Sequence, residues 1–211
     1  MAFRLEMCAG AQGDREISQL AADAVELGDR GQTLMTPPAP RPPRIAALRA
    51  DDSKAAQALL LQFARRAQAE GLRVGGVVQV RFLEPGATRS SIMLEDVDSG
   101  ARFKISQDLG RGSVACNLDS GELALACAAV EHAARGGVDL VVLSKFSKQE
   151  AERSGLCDAF RAAIRAGAPI VAAVSPDFLD EWAAFAGDLY EFVAPDLSAL
   201  DDWRRRATAR S

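Results

Sequence analysis

Histidine is almost missing from this chain of 211 residues: His132 is the only one. A Ser-His-Asp or Cys-His catalytic set would have to be built on it. It lies within Ala129-Val-Glu-His-Ala-Ala134, in the middle of a helical pattern, where a partly exposed helix residue is the ordinary outcome. Cysteine is scarce as well. The four present (Cys8, Cys116, Cys127, Cys157) are far apart and form no Cys-x-x-Cys pair. Structural zinc needs about four nitrogen or sulfur ligands at close spacing, so a zinc module is not expected. Free thiols are, with Cys127 buried on an apolar helix face. No apolar run approaches the roughly 20 residues that cross a bilayer, so no membrane partner is expected. The first residues, Met1-Ala-Phe-Arg-Leu-Glu-Met-Cys8, lack the basic stretch and apolar core of a secretion signal, and a cytoplasmic protein is the default expectation. Excess positive charge is also absent. The net charge is −4, which leaves no electrostatic footprint for nucleic acid.

What is present is an ordinary globular composition, 48% hydrophobic and 26% charged, at a length that allows one sizeable domain with an appendage. Residues 1–43 form the appendage. Asp14 to Leu27 has Ile17, Leu20, Ala21, Ala24 and Leu27 at the spacing of a short amphipathic helix. Pro37-Pro-Ala-Pro-Arg-Pro-Pro43 then enforces an extended spacer. The arm is either a tether that docks a protein partner or a plain extension.

From Arg44 onward strand and helix patterns alternate. Ile45–Leu48 reads as a strand, and a helix with Ala56, Leu60, Phe63 and Ala67 on its buried stripe follows and ends at Gly71. Leu72–Phe82 is a second strand. Ser91–Val97 and Ala101–Ser106 flank the turn signal Asp98-Ser-Gly100 as a hairpin. A glycine-rich loop leads to Asp119 or Ser120, which can cap a helix with Leu123, Cys127, Val130 and Ala134 inward. The strand at Val138–Leu143, a helix from about Gln149 to Ala166, the strand Pro169–Val174, a helix from about Pro176 to Ala186, a short strand near Tyr190 and a terminal helix from about Leu197 to Arg206 complete the domain. This order predicts an α/β fold with a mostly parallel sheet, helices on both faces and a hairpin after the second strand.

The chemistry is expected where the central strand ends. Val138-Asp-Leu-Val-Val-Leu143 is a strand buried on both faces, and it turns abruptly into Ser144-Lys-Phe-Ser-Lys-Gln-Glu150. Ligands of open α/β sheets collect just outside the carboxyl ends of their strands. Lys145, Lys148, Gln149 and Glu150 are therefore candidate ligand-binding residues, Glu150 also being the candidate to orient a water. Gln79, late on the second strand, can join them. Ser106, Gln107, Gly110 and Gly112 belong to a loop whose N–H groups can form an anion nest, although a plain turn needs the same residues. The bland alternative for Lys148 is an exposed ion pair with Glu152 one turn on.

The first strand–helix turn invites comparison with the phosphate loop G-x-x-x-x-G-K-[ST]. With its lysine set on Lys54, Leu48 and Ser53 stand where glycines belong, and Ala55 stands where the magnesium-binding hydroxyl belongs. A helix N-terminus contributes about 0.3–1 kcal/mol toward an anion. A carboxylate about 4 Å away opposes it by roughly 4 kcal/mol at an effective dielectric near 20. Asp51 and Asp52 thus repel a bare triphosphate. They are candidate magnesium ligands beside Ser53 and Lys54, with helix capping by Asp52 or Ser53 the simpler role.

Several of these stretches together resemble the bacterial family DUF2478: Asp51-Asp52, Arg73-Val-Gly-Gly-Val-Val-Gln79, Leu94-Glu-Asp96, Ile105-Ser-Gln-Asp-Leu-Gly110, Cys116-x-Leu-Asp119 and Lys145-Phe-Ser-Lys-Gln-Glu-Ala-Glu152. The resemblance runs from Arg44 to about Asp196. It implies a distant relative of P-loop nucleoside triphosphatases, some of whose members are labelled molybdenum-transport ATP-binding proteins. The ABC signature and both nucleotide motifs are missing from this chain. The leading expectation is a degenerate P-loop-like protein that binds a small anionic or nucleotide-like ligand without rapid hydrolysis. The alternatives are a magnesium-dependent nucleoside triphosphatase and an accessory protein for metal (molybdenum) uptake or cofactor assembly.

Overall fold

The computed structural model describes residues 44–83, 86, 90–106 and 118–208. The expected arm over residues 1–43 lies outside them, as do Gln107, Gly110 and Gly112. Among the described residues seven strands form one sheet: β1 (Ile45–Arg49), β2 (Val74–Phe82), β3 (Ser91–Asp96), β4 (Arg102–Lys104), β5 (Leu140–Phe146), β6 (Ile170–Val174) and β7 (Tyr190–Phe192). Their order is β4-β3-β2-β5-β6-β1-β7. The run from β2 to β7 is parallel, and β3 and β4 extend it as an antiparallel hairpin. The helices are α1 (Ser53–Ala69), α2 (Ser120–Arg135), α3 (Lys148–Ala151), α4 (Cys157–Ala166), α5 (Leu179–Ala186) and α6 (Leu197–Thr208).

Both faces of the sheet are covered, so its central strands run apolar without alternation until their carboxyl ends, where Gln79 of β2 and Ser144 and Lys145 of β5 begin the polar part. Val141 and Leu143 of β5 pack with Val130 of α2, Phe160 of α4 and Trp182 of α5. Leu140 and Val142, pointing the other way, pack with Leu60 and Phe63 of α1 and Trp203 of α6. The division follows from chain direction. From β1 the chain crosses β6 and β5 to reach β2, whereas the later crossovers run back the opposite way. Right-handed crossovers in opposite directions place their helices on opposite faces. All five parallel strands consequently present their carboxyl ends along one edge.

The two glycines of β2 meet different neighbours: a Cβ on Gly75 would lie 2.6 Å from the Cβ of Ala133 on α2, whereas Gly76 is pressed against β5. Gly76 has φ +122°, and a Cβ there would lie 1.9 Å from the carbonyl oxygen of Val142. A side chain at this position would break the central pairing.

The helix expected over Gln149–Ala166 is in fact two, α3 and α4, separated by a turn in which Arg153 and Gly155 both take positive φ. Cys127, expected to be buried, is half-buried, while Ala126 takes the inward place on α2. His132 is exposed on the same helix.

Candidate functional site

The ladder between β2 and β5 stops at Val77 and Leu143. One residue later β5 carries a β-bulge: Leu143 pairs with Ala172, but Lys145, two residues on, pairs with Ala173. Ser144 is the extra residue. Bulges bend a strand and re-aim the side chain that follows, and here that side chain is Lys145. Where the two strands part, Gln57 of α1 fills the gap. Its Oε1 accepts the Gln79 N–H at 3.1 Å and the Ser144 hydroxyl at 3.3 Å, from a buried position. Its Nε2 is buried without a hydrogen-bond partner among the described residues. A buried donor left unpaired costs about 1–3 kcal/mol.

Beyond this point opens a cavity of about 290 Å³. Its polar lining consists of Gln79, Ser144, Lys145, Ser147, Lys148, Gln149 and Glu150, over an apolar floor that includes Leu94, Ile105, Leu118 and Leu156. Five of the residues expected at the site therefore converge: Gln79, Lys145, Lys148, Gln149 and Glu150. Lys145 is half-buried and has no hydrogen-bond or ion-pair partner among the described residues. Lys148 is different. Its side chain is 71% exposed and lies 3.8 Å from Glu152, a solvated pair of the kind that contributes about 0.3–0.5 kcal/mol. The carbonyl oxygen of the Gln149 side chain accepts from the Ser154 hydroxyl at 2.9 Å, which fixes its amide beside the cavity.

Glu150 is an architectural residue. Ser147-Lys-Gln-Glu150 forms a capping box, the reciprocal arrangement in which the fourth residue returns to the first. One carboxylate oxygen accepts the Ser147 N–H at 3.0 Å and its hydroxyl at 3.1 Å, and the other accepts the Leu156 N–H at 2.9 Å. The side chain thus joins the end of β5 to the start of α4. Burial pushes its carboxyl above the ordinary range, against the hydrogen bonds from Leu156 and Ser147 that lower it. Gly155 is fitted to the same group. It has φ +62°, and a Cβ there would stand 2.2 Å from Oε1 of Glu150. Both carboxylate oxygens of Glu150, the candidate to orient a water, thus already accept hydrogen bonds from within the chain. The buried Cys157 thiol donates to the Glu150 carbonyl oxygen at 3.2 Å, and burial raises both Cys157 and Cys127.

The remaining expected residues lie elsewhere. Ser106 is outside the lining; its hydroxyl accepts the Ile92 N–H at 2.9 Å and its backbone bridges Leu118. Asp51, Asp52, Ser53 and Lys54 sit at the carboxyl end of β1, two strands from β5, roughly 10 Å away at normal strand spacing. Asp52 caps α1, accepting the N–H groups of Lys54 at 2.8 Å and Ala55 at 3.0 Å. Asp51 faces the Arg49 guanidinium at 3.1 Å, which places positive charge where a cation would bind. This turn does not fit a magnesium site. Among the described residues no group of three or more His, Cys, Asp and Glu side chains could hold a metal ion. No described helix is long and apolar enough to cross a membrane.

Sequence reasoning missed Gln57 and Ser144. A glutamine beside Ala56 and Leu60 on a buried stripe was the available signal for the first. The bulge that sets the second, buried, into the cavity lining left none.

A doubly covered, mostly parallel sheet with a polar crevice beyond its strand ends defines an α/β protein. The chain belongs to the family DUF2478, described as a protein of unknown function, whose model matches residues 45–203. It is 34% identical over 169 residues to the molybdenum import ATP-binding protein ModC 2 of Bradyrhizobium diazoefficiens. That match covers 80% of this chain and 19% of the relative. No solved structure matches the chain.

Proposed function

We propose that the protein binds a small anionic or nucleotide-like ligand in the cavity between β2 and β5, without rapid hydrolysis. The observation that carries this reading is Lys145, a half-buried ammonium with no described partner, aimed by a bulge at the end of the central strand. A cation in such surroundings attracts an anion more strongly than it would in open water, because fewer water dipoles screen it. Gln79 and Gln149 add amides that can orient a bound group, and the apolar floor suits a flat organic portion. At about 290 Å³ the space is at the lower limit of small-molecule sites, roughly 300–1,000 Å³. This favours a small oxyanion or compact organic anion over a complete triphosphate. The relative's name, a molybdenum import ATP-binding protein, makes molybdate and adenine nucleotides the first candidates. Slow or absent hydrolysis follows from the occupied Glu150 carboxylate and the capped Asp52.

A thermal-shift panel of ATP, ADP, AMP, phosphate and molybdate tests the reading. A ligand at 100 times its Kd adds about 2.7 kcal/mol to the native state. For a domain of this size that is a rise of about 5–10 °C in Tm. At least one compound should produce it in the wild type, and Lys145→Ala should abolish it. If none moves Tm, or if the shift survives the lysine's removal, the cavity is not a binding site.

A further inference from the structure

A second cavity, of about 500 Å³, lies across the α3–α4 turn and is lined by Arg153, Arg161, Arg165, Glu181, Phe146 and Phe185 among others. Three guanidinium groups face a single exposed carboxylate, Glu181, in a chain whose net charge is −4. Glu150 closes the inner end, but its oxygens are already turned toward Ser147 and Leu156. Arg161 and Arg165 are one turn apart on α4, on the same side, and like charges at that spacing repel. Arg161 is partly neutralised by Asp158 at 3.0 Å. Arg153 and Arg165 have no side-chain hydrogen bond or ion pair among the described residues. Arg153 also holds φ +62°, a conformation that a long side chain seldom adopts and that concentrates at ligand clamps. The apolar wall is built from Phe185 and Ile164, with Phe146 behind them.

We propose that this cavity is a binding site for a small organic phosphate, separate from the cavity at Lys145. Arg153 and Arg165 grip the phosphate oxygens, the planar bidentate recognition for which guanidinium is suited. The organic part lies against Phe185 and Ile164. Convergent polar groups over an apolar wall, in a volume of this size, are the usual makings of a small-molecule site. Glu181, on the opposite wall, is placed to accept a hydrogen bond from a hydroxyl or amine of the ligand.

Calorimetric titration with phenyl phosphate tests this, with inorganic phosphate and phenol as the two halves of the probe. The wild type should bind phenyl phosphate saturably and more tightly than either half. Arg153→Gly suits the backbone at that position and Arg165→Gln keeps a helix former on an exposed turn, so both should fold; each should weaken binding at least tenfold. Arg135→Gln, on α2 and outside the lining of both cavities, should leave it unchanged. Absence of saturable binding, or wild-type affinity in both arginine variants, would overturn the assignment. Inorganic phosphate bound as tightly as phenyl phosphate would overturn the role of the apolar wall. Arg153 and Arg165 line this cavity and not the one at Lys145, which keeps this outcome separate from the fate of the reading proposed for the first cavity.

Discussion

Glu150 shows how one side chain can be drawn into two descriptions. By composition it belongs to a polar cluster at a strand end, where it looked like a reactive acid. By geometry it fastens that strand end to the next helix through Ser147 and Leu156. The capping-box pattern, Ser147 followed by Glu150, was present in the sequence, but so was the site pattern, and spacing alone cannot choose between them. Lys145 and Gln79 were legible because strand termini can be located from apolar runs. The pH dependence of stability tests the burial of the Glu150 carboxyl. Burial holds its folded-state carboxyl above the ordinary 4.5, so the native state keeps the proton more tightly than the unfolded chain does. Stability from this group is complete below the unfolded value and is lost as pH rises through the folded one. Glu150→Gln is neutral throughout. In urea titrations at successive pH values, the wild type should lose stability relative to the variant as pH climbs from 4.5 toward neutrality. A difference independent of pH would mean that the carboxyl is not shifted.

At the scale of elements, the strands and most helices followed the apolar periodicity, because a sheet covered on both faces requires unbroken apolar strands and striped helices. The exception is instructive. Residues 149–166 were expected as one helix, since the sequence there contains no proline and only one glycine. The break comes from a tertiary contact: Leu156 gives its N–H to Glu150 instead of to a helical carbonyl, and Gly155 makes room for the carboxylate. Such a bond is invisible to periodicity. The first turn was more legible, because an aspartate ahead of a long apolar-striped helix signals a cap. Two roles were open to Asp52, and one substitution series distinguishes them. As the N-cap of α1 it should tolerate Asp52→Asn with little change, since asparagine caps equally well, whereas Asp52→Ala should cost about 1 kcal/mol, with values up to 2 in some helices. Chemical denaturation of the three proteins measures this. Equal stability of alanine and asparagine variants would remove the cap from the account of this turn.

On the scale of the molecule, strand order was beyond the sequence. Nothing in the apolar runs says that the second strand pairs with the fifth, or that the first lies between the sixth and seventh. Order nevertheless decides which polar ends meet: it brings Gln79 to Lys145 and leaves Asp51 and Asp52 roughly 10 Å off, at normal strand spacing. Both apolar layers are assembled from described residues between Ile45 and Ala207. The family match falls within the same span, and the relative matches this chain over only 19% of its own length. A stretch of this chain is therefore matched by the family model and by a minor part of a longer relative. A unit of about 170 residues buries roughly 70% of the surface its unfolded chain would expose, enough to sustain its own core. A fragment lacking residues 1–43 should therefore unfold in a single cooperative transition, with a Tm within about 3 °C of the full chain, equivalent to roughly 1 kcal/mol at this size. It should also keep whatever ligand response the full chain has. A fragment that melts broadly, or many degrees lower, would show that the arm completes the core, and the boundary before Arg44 would have to move.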